Sequence, residues 1–235
     1  MEVIIDKRIE LMTVLQTINN YWDSLSVYLT HKNLFQCKYK EDIKSYFEKY
    51  KNHETIKLYN ELSNNIQDID TFLNLVLCYS NPPEFDNIAS IENNLNGLLN
   101  LKFSNEIFIN NLRQFYEDTN FEYFYEKNQV KYKKMITDFR NDIELSGIND
   151  TMDNYLGNEI KDYKIIISAL FIGNFGIKII LNNKETLNYL LLSPYNYKGG
   201  KYIFGNSNFI KGLLWHEMGH LTINNLTGYY FNKII

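Results

Sequence analysis

Apolar residues recur every three or four positions from Asp6 to about Leu156, and then the pattern changes at Tyr163. Ile9, Met12, Leu15 and Ile18 to Trp22 show the helical interval, as do Ile43, Tyr46, Phe47 and Tyr50, then Ile56, Tyr59 and Leu62. These segments predict amphipathic helices. Further helices are expected over Asp70 to Tyr79, stopped by Asn81-Pro82-Pro83, then Ile88 to Leu101, Asn105 to Glu117, and one long helix from Asn120 to about Leu145, before Gly147. From Lys164 the texture becomes β-branched. Lys164 to Ile172, Ile177 to Leu181 and Thr186 to Leu192 read as three strands, separated by turns at Gly173 to Gly176 and Asn182-Asn183. Short connections of this kind predict an antiparallel meander, to which Tyr202 to Phe204 adds an edge strand. Asn206-Ser207-Asn208 offers N-cap residues for a last helix from Phe209 to about Asn224. The expected class is α+β: a helical region over 1–160, then a meander and a C-terminal helix over 161–235, packed as one unit because the sheet has an apolar face to cover.

Composition excludes several classes. At 235 residues and 45% hydrophobic, the chain is long and apolar enough to bury a core without disulfides or a structural metal. Cys37 and Cys78 have no metal-type spacing and read as buried, reduced thiols. The net charge of −4, interspersed along helix faces, argues against nucleic acid as a partner. The longest strongly apolar run, Ile165 to Ile172, is far shorter than the roughly 20 residues of a membrane span. Glu2, Asp6, Lys7 and Arg8 surround one short apolar triplet, unlike a secretory signal, so the chain reads as cytoplasmic, or as secreted if a signal has been removed. Nothing in the composition bears on oligomeric state.

One constellation carries chemistry. The last helix contains His216-Glu217-Met218-Gly219-His220, and residues four apart on a helix share a face, so both imidazoles reach one metal ion while Glu217, one step round, addresses a water on it. Zinc held this way lowers the pKa of its water toward 7, and the carboxylate removes a proton as that water attacks a polarised peptide carbonyl. The expected ligands are therefore His216 and His220, the expected general base is Glu217, the cofactor is zinc and the substrate a peptide or protein. The uncharged flanks Leu213, Leu214, Trp215 and Leu221 predict that this helix is largely buried, and Gly212 and Gly219 predict a close neighbour at each.

The third ligand is missing from the pattern. An HExxHxxGxxH site requires Gly at 223 and His at 226, where Ile223 and Leu226 stand, and Leu221 to Ile235 contains no Asp, Glu or His. Three explanations stay open: an upstream ligand, a chain that is the N-terminal piece of a longer one, or a relic motif in a non-catalytic helical interaction protein derived from a peptidase.

The other candidates favour structure over function. His53-Glu54 lacks a second His, since Lys57 stands there, and reads as a helix start on the surface. His31 is isolated, Lys131 to Lys134 reads as a solvated helix face, and the aromatic residues Phe115, Tyr116, Phe121, Phe124 and Tyr125 read as packing.

Beyond these residues, the chain resembles a bacterial family catalogued as a domain of unknown function and regarded as zinc metallopeptidases. The resemblance rests on DKRIELMTVL at Asp6 to Leu15, YFEKYKNHETIKLYNEL at Tyr46 to Leu62, FYEDTNFEYFYEKNQVKY at Phe115 to Tyr132, Asn174-Phe175-Gly176, and HEMGHLTINNL at His216 to Leu226. Met218 stands where the family has an aromatic residue, and Asn224-Asn225 where it has Asn-Pro. The resemblance implies a zincin-like fold, zinc on His216 and His220, Glu217 as base, and a continuation past residue 235 bearing an acidic ligand, so that the chain is truncated after the motif helix. In zinc peptidases of this design an edge strand over the cleft binds the substrate backbone; Asn174 to Ile180 or Tyr202 to Phe204 would fill that place.

Overall fold

A computed structural model of the chain describes residues 1–20, 36–63, 70–91, 105–145, 147–148, 150–151, 154, 163–171 and 173–234, with side chains only to residue 221 in the last segment. Eight helices occur among the described residues: α1 (Lys7–Ile18), α2 (Lys38–Phe47), α3 (Glu54–Ser63), α4 (Asp70–Leu77), α5 (Asn105–Asp118), α6 (Phe121–Lys127), α7 (Gln129–Asp142) and α8 (Ser207–Ile234). The strands are β1 (Glu2–Ile4), β2 (Tyr163–Ile167), β3 (Phe175–Ile180), β4 (Thr186–Leu192), β5 (Asn196–Lys198) and β6 (Lys201–Ile203). The fold is thus α+β, and no described helix is long and apolar enough to cross a membrane.

The sheet is mixed, which corrects the expected meander. Its order is β1-β2-β4-β3, with β1 parallel to β2, β2 parallel to β4, and only β3 antiparallel to β4. β4 therefore lies between two strands that precede it in sequence. The apolar pattern explains the order: Tyr189 to Leu192 are all buried, as are Ile165 to Ile167, which suits strands covered on both faces. In β3, by contrast, Ile177 and Ile179 are buried while Lys178 and Ile180 are not, the alternation of a strand with one covered face. Leu181 N–H bonds the Glu185 carbonyl to close the β3–β4 hairpin. β1, at the opposite edge, has no counterpart in the predicted elements because three residues are too few to show a period.

Other boundaries moved as well. The expected run Lys164 to Ile172 ends as a strand at Ile167, and β3 begins at Phe175, so Gly176 belongs to the strand and not to the turn before it. Tyr202 to Phe204 adds no strand to the sheet; β6 pairs with β5 in a separate hairpin that lies against α7. The helix expected from Ile88 starts instead as extended chain, with bridges Tyr79 to Asn87 and Ala89 to Leu181; the rest of that segment from residue 92 lies outside the described residues, as do Tyr21, Trp22 and Ile172. The single helix expected from Asn120 to Leu145 is two, α6 and α7, which break at Asn128, where the side-chain amide donates to the Phe124 carbonyl at 2.8 Å.

α1 is not amphipathic in the expected sense. Every residue from Arg8 to Ile18 is buried, the polar ones included. Asp6 caps it by accepting from Arg8 N–H at 2.9 Å, and its carboxylate also holds the Arg8 guanidinium, which reaches on to the carbonyls of Leu77 and Tyr79. α8 packs on β3 and β4, and α4 packs on β3. Buried residues of the helices and of the sheet form one hydrophobic cluster, which includes Leu11, Phe47, Phe115, Ile166 and Leu214.

Candidate metal centre

α8 begins as the caps predict, with Asn206 Oδ1 accepting from Phe209 N–H at 3.0 Å, but it starts at Ser207 and runs to Ile234. Its period then decides which side chains meet the sheet. Ile210, Leu214, Glu217, Met218 and Leu221 are buried, whereas Phe209, Gly212, His216 and His220 are exposed along the other side. The helix is therefore half-buried, not largely buried, and both histidines lie on its open face. Gly212 is likewise open: a Cβ added there would meet nothing within 4 Å, so the neighbour expected at that position is absent.

The two imidazoles converge. His216 Nε2 and His220 Nε2 lie 3.0 Å apart with the rings edge to face, close to the separation of about 3.3 Å that two nitrogens take on one tetrahedral zinc. By donor type and convergence this pair fits a zinc ion. No group of three or more His, Cys, Asp or Glu side chains able to hold a metal occurs among the described residues, so the third ligand is not found there.

Glu217 sits where the helix meets the sheet. It is buried against β3, and its Oε2 accepts from the Gly176 N–H at 2.9 Å. Burial raises its pKa above the ordinary carboxylate value, and the Gly176 N–H and the two histidines oppose that rise. Gly176 is what lets the helix come this close: a Cβ there would sit 2.3 Å from the Glu217 carbonyl oxygen. Sequence reasoning missed this role. The only signal is a single glycine inside a β-branched run, and by pattern it reads as the end of the preceding turn.

The strand itself is held from behind. Gly173 N–H donates to Ser193 Oγ at 3.2 Å, Ser193 N–H donates to Asn174 Oδ1 at 3.3 Å, and Phe171 packs edge-on against Phe175. The hairpin closure at Leu181 and Glu185 sets the parity of the ladder: the backbone groups of Ile177 and Ile179 face β4, and those of Gly176 and Lys178 face outward. Asn182 N–H, also outward, donates to the Ile88 carbonyl. Of the two segments expected to offer an edge, Asn174 to Ile180 is thus beside the motif helix, and Tyr202 to Phe204 is in the β5–β6 hairpin.

The remaining candidates behave as packing or capping groups. His53 Nδ1 accepts from Thr55 N–H at the start of α3, and its Nε2 lies 3.1 Å from Asp118 Oδ2. Lys131 pairs with Asp42, and Lys134 with Asp138, while Tyr132 between them is buried. Phe115, Phe121 and Phe124 pack around Phe47. His31 lies outside the described residues.

A search of the curated proteins and a search of the solved structures return no match to this chain. The profile of one family does match, over residues 1–234, which is essentially the full length. The chain belongs to the family described as a domain of unknown function, DUF4932.

Proposed function

We propose that the protein is a zinc-dependent metallopeptidase of zincin-like design, in which His216 and His220 hold the metal and Glu217 is the general base. The observation that carries this reading is the convergence of the two Nε2 atoms at 3.0 Å on an open helix face, with a buried carboxylate one residue away. Bound by the pair, zinc would supply Lewis-acid polarisation of a peptide carbonyl and acidify a water molecule.

The protein's own groups account for the rest. The outward edge of β3 at Lys178, between the Gly176 and Asn182 N–H groups, offers backbone donors and acceptors to an extended peptide, and strand addition there would lay the peptide beside α8. Glu217 accepts the proton of the attacking water and returns it to the leaving amine, a role suited to a carboxylate whose pKa burial has raised above its ordinary value. The Gly176 N–H keeps that carboxylate in one orientation.

Elemental analysis after zinc loading and dialysis against a mild chelator tests the site. The expected result is one zinc per chain, lost in His216→Ala and in His220→Ala and kept in Glu217→Gln, together with peptide hydrolysis that Glu217→Gln reduces by a factor of about 100 or more. Absence of zinc from the unmodified chain would remove the metal centre and favour a non-catalytic interaction protein. Zinc without hydrolysis would leave the ligands and remove the peptidase.

A further inference from the structure

α1 contains a second buried carboxylate that the peptidase reading does not use. Glu10 is 1% exposed. Its Oε2 accepts from Tyr39 OH at 2.6 Å, and its Oε1 lies 2.7 Å from Ser168 Oγ. The contacts continue in both directions: Tyr39 OH meets Tyr132 OH at 2.7 Å, Ser168 Oγ meets Thr13 Oγ1 at 3.2 Å, and Thr13 Oγ1 donates to the Ile9 carbonyl at 2.9 Å. One chain of polar atoms therefore runs from Tyr132 through Tyr39, Glu10, Ser168 and Thr13 to Ile9. It joins α7, α2 and α1 to the residue that follows β2.

Counting hydrogens decides the state of the acid. Each of these links needs one hydrogen, and there are five links. Tyr132, Tyr39, Ser168 and Thr13 bring one each, and the Ile9 carbonyl only accepts. With Glu10 ionised, Ser168 donates to Glu10 and Thr13 to Ile9, and the two hydroxyl oxygens face each other with lone pairs alone. With Glu10 protonated, hydrogens run from Glu10 to Ser168, to Thr13 and to Ile9, while Tyr132 donates to Tyr39 and Tyr39 to the other carboxyl oxygen. Every link is then made, as a buried polar chain requires.

The surrounding charges point the same way. On its own helix Glu10 has Asp6, which repels a second negative charge, and Arg8, whose guanidinium is held by Asp6 and the Leu77 and Tyr79 carbonyls. Among the described residues, the titratable groups that face it from elsewhere are Tyr39 of α2, Tyr125 of α6, Tyr132 of α7 and Tyr202 of β6, the last hydrogen-bonded to Cys37. None of them is a cation. Burial, with the charge of Asp6, raises the Glu10 pKa to about 7, against the hydrogen bonds of Tyr39, Ser168 and Tyr132, which lower it.

We propose that Glu10 is protonated in the folded protein and serves as a pH-sensitive latch between the helices and the sheet, which loosens at the Ser168–Thr13 link when the proton leaves. The latch is independent of the metal centre. An acid whose pKa is higher in the folded than in the unfolded chain contributes stability that is complete below the unfolded pKa, near the ordinary 4.5, and is lost as pH rises through about 7.

The test compares the intact chain with Glu10→Gln by urea unfolding from about pH 5 to about pH 9. In the variant Oε1 accepts from Tyr39 and Nε2 donates to Ser168, so all the links survive with no proton to lose. The folding constant of the unmodified chain should fall relative to the variant's by up to about tenfold per pH unit between roughly pH 5 and pH 7, and then run parallel. Parallel curves over the whole range would overturn the proposal. Infrared spectroscopy in a Glu217→Gln background supplies a second reading that needs no Glu10 variant: the carbonyl stretch of a protonated carboxylic acid should be present near pH 6 and fade above about pH 7. Its absence near pH 6 would also overturn the latch.

Discussion

Gly176 carries more of the site than its lack of a side chain suggests. It donates the N–H that orients Glu217, and it leaves the space into which the backbone of α8 comes, with a Cβ placed there 2.3 Å from the Glu217 carbonyl oxygen. Backbone cannot yield as the end of a long side chain can, so Gly176→Ala must push β3 and α8 apart. The expected cost is about 1–3 kcal/mol, read from urea unfolding of the metal-free chain. A change within about 0.5 kcal/mol would mean that the strand and helix are not in contact there. At this scale the sequence was informative about identity and poor about surroundings. The four-residue spacing of His216 and His220 was enough to put them on one face, because helix geometry is local. Gly212 and Gly219 were expected to mark close neighbours, but Gly212 looks onto open space. A glycine in a helix signals a propensity cost, and only packing tells what, if anything, compensates it.

The faces of α8 are the element-level feature on which the site depends. Leu214 is 0% exposed on the sheet side, and Phe209 is 57% exposed on the side of the histidines. Leu214→Ala should therefore cost about 2–5 kcal/mol by leaving a cavity against the sheet. Phe209→Ala should stay within about 0.5 kcal/mol. The same chemical denaturation series measures both, and comparable losses would mean that the helix docks by another face. Helix α5 was legible from its period nearly to the residue, and so were the existence of β2, β3 and β4. Their order was not. Turn lengths suggested neighbours in sequence order, but the continuous apolar run of β4 requires cover on both faces and the alternation of β3 requires only one, so β4 takes the inner place. The break between α6 and α7 was hidden for a similar reason: the apolar period continues across Asn128, and a side-chain hydrogen bond to Phe124 interrupts it.

Across the molecule, α1 ties distant parts of the chain together by buried polar groups as well as by apolar ones. The Arg8 guanidinium joins its own N-cap, Asp6, to the carbonyls at the end of α4, more than sixty residues away. Both side chains of the ion pair are about 5% exposed, so neither charge has water to fall back on. Arg8→Met should leave the Asp6 carboxylate buried without its cation and cost about 3–5 kcal/mol, measured as a shift of the unfolding midpoint near neutral pH. Added salt should change the intact chain little, since a buried pair is poorly screened. The sequence showed α1 as an amphipathic helix with ordinary polar positions. Its polar residues could be recognised as interior only once their partners on α2, α3 and α7, at the end of α4 and just after β2 were in place.

The sequence alone determined the α+β class, the helices α3 to α5, the strands β2 to β4, the shared face of His216 and His220 and the position of Glu217 one residue round from it. Each of these follows from periods of two or about 3.6 residues and from caps within a few positions, which are properties of local backbone geometry. The tertiary structure alone decided the mixed strand order, the open face presented by the histidines, the approach of β3 that orients Glu217, and the burial of Glu10 among hydroxyl groups. Those depend on contacts between residues far apart in the chain, such as Gly176 with Glu217 and Glu10 with Ser168, whose energies come from desolvation and close packing that no local period encodes.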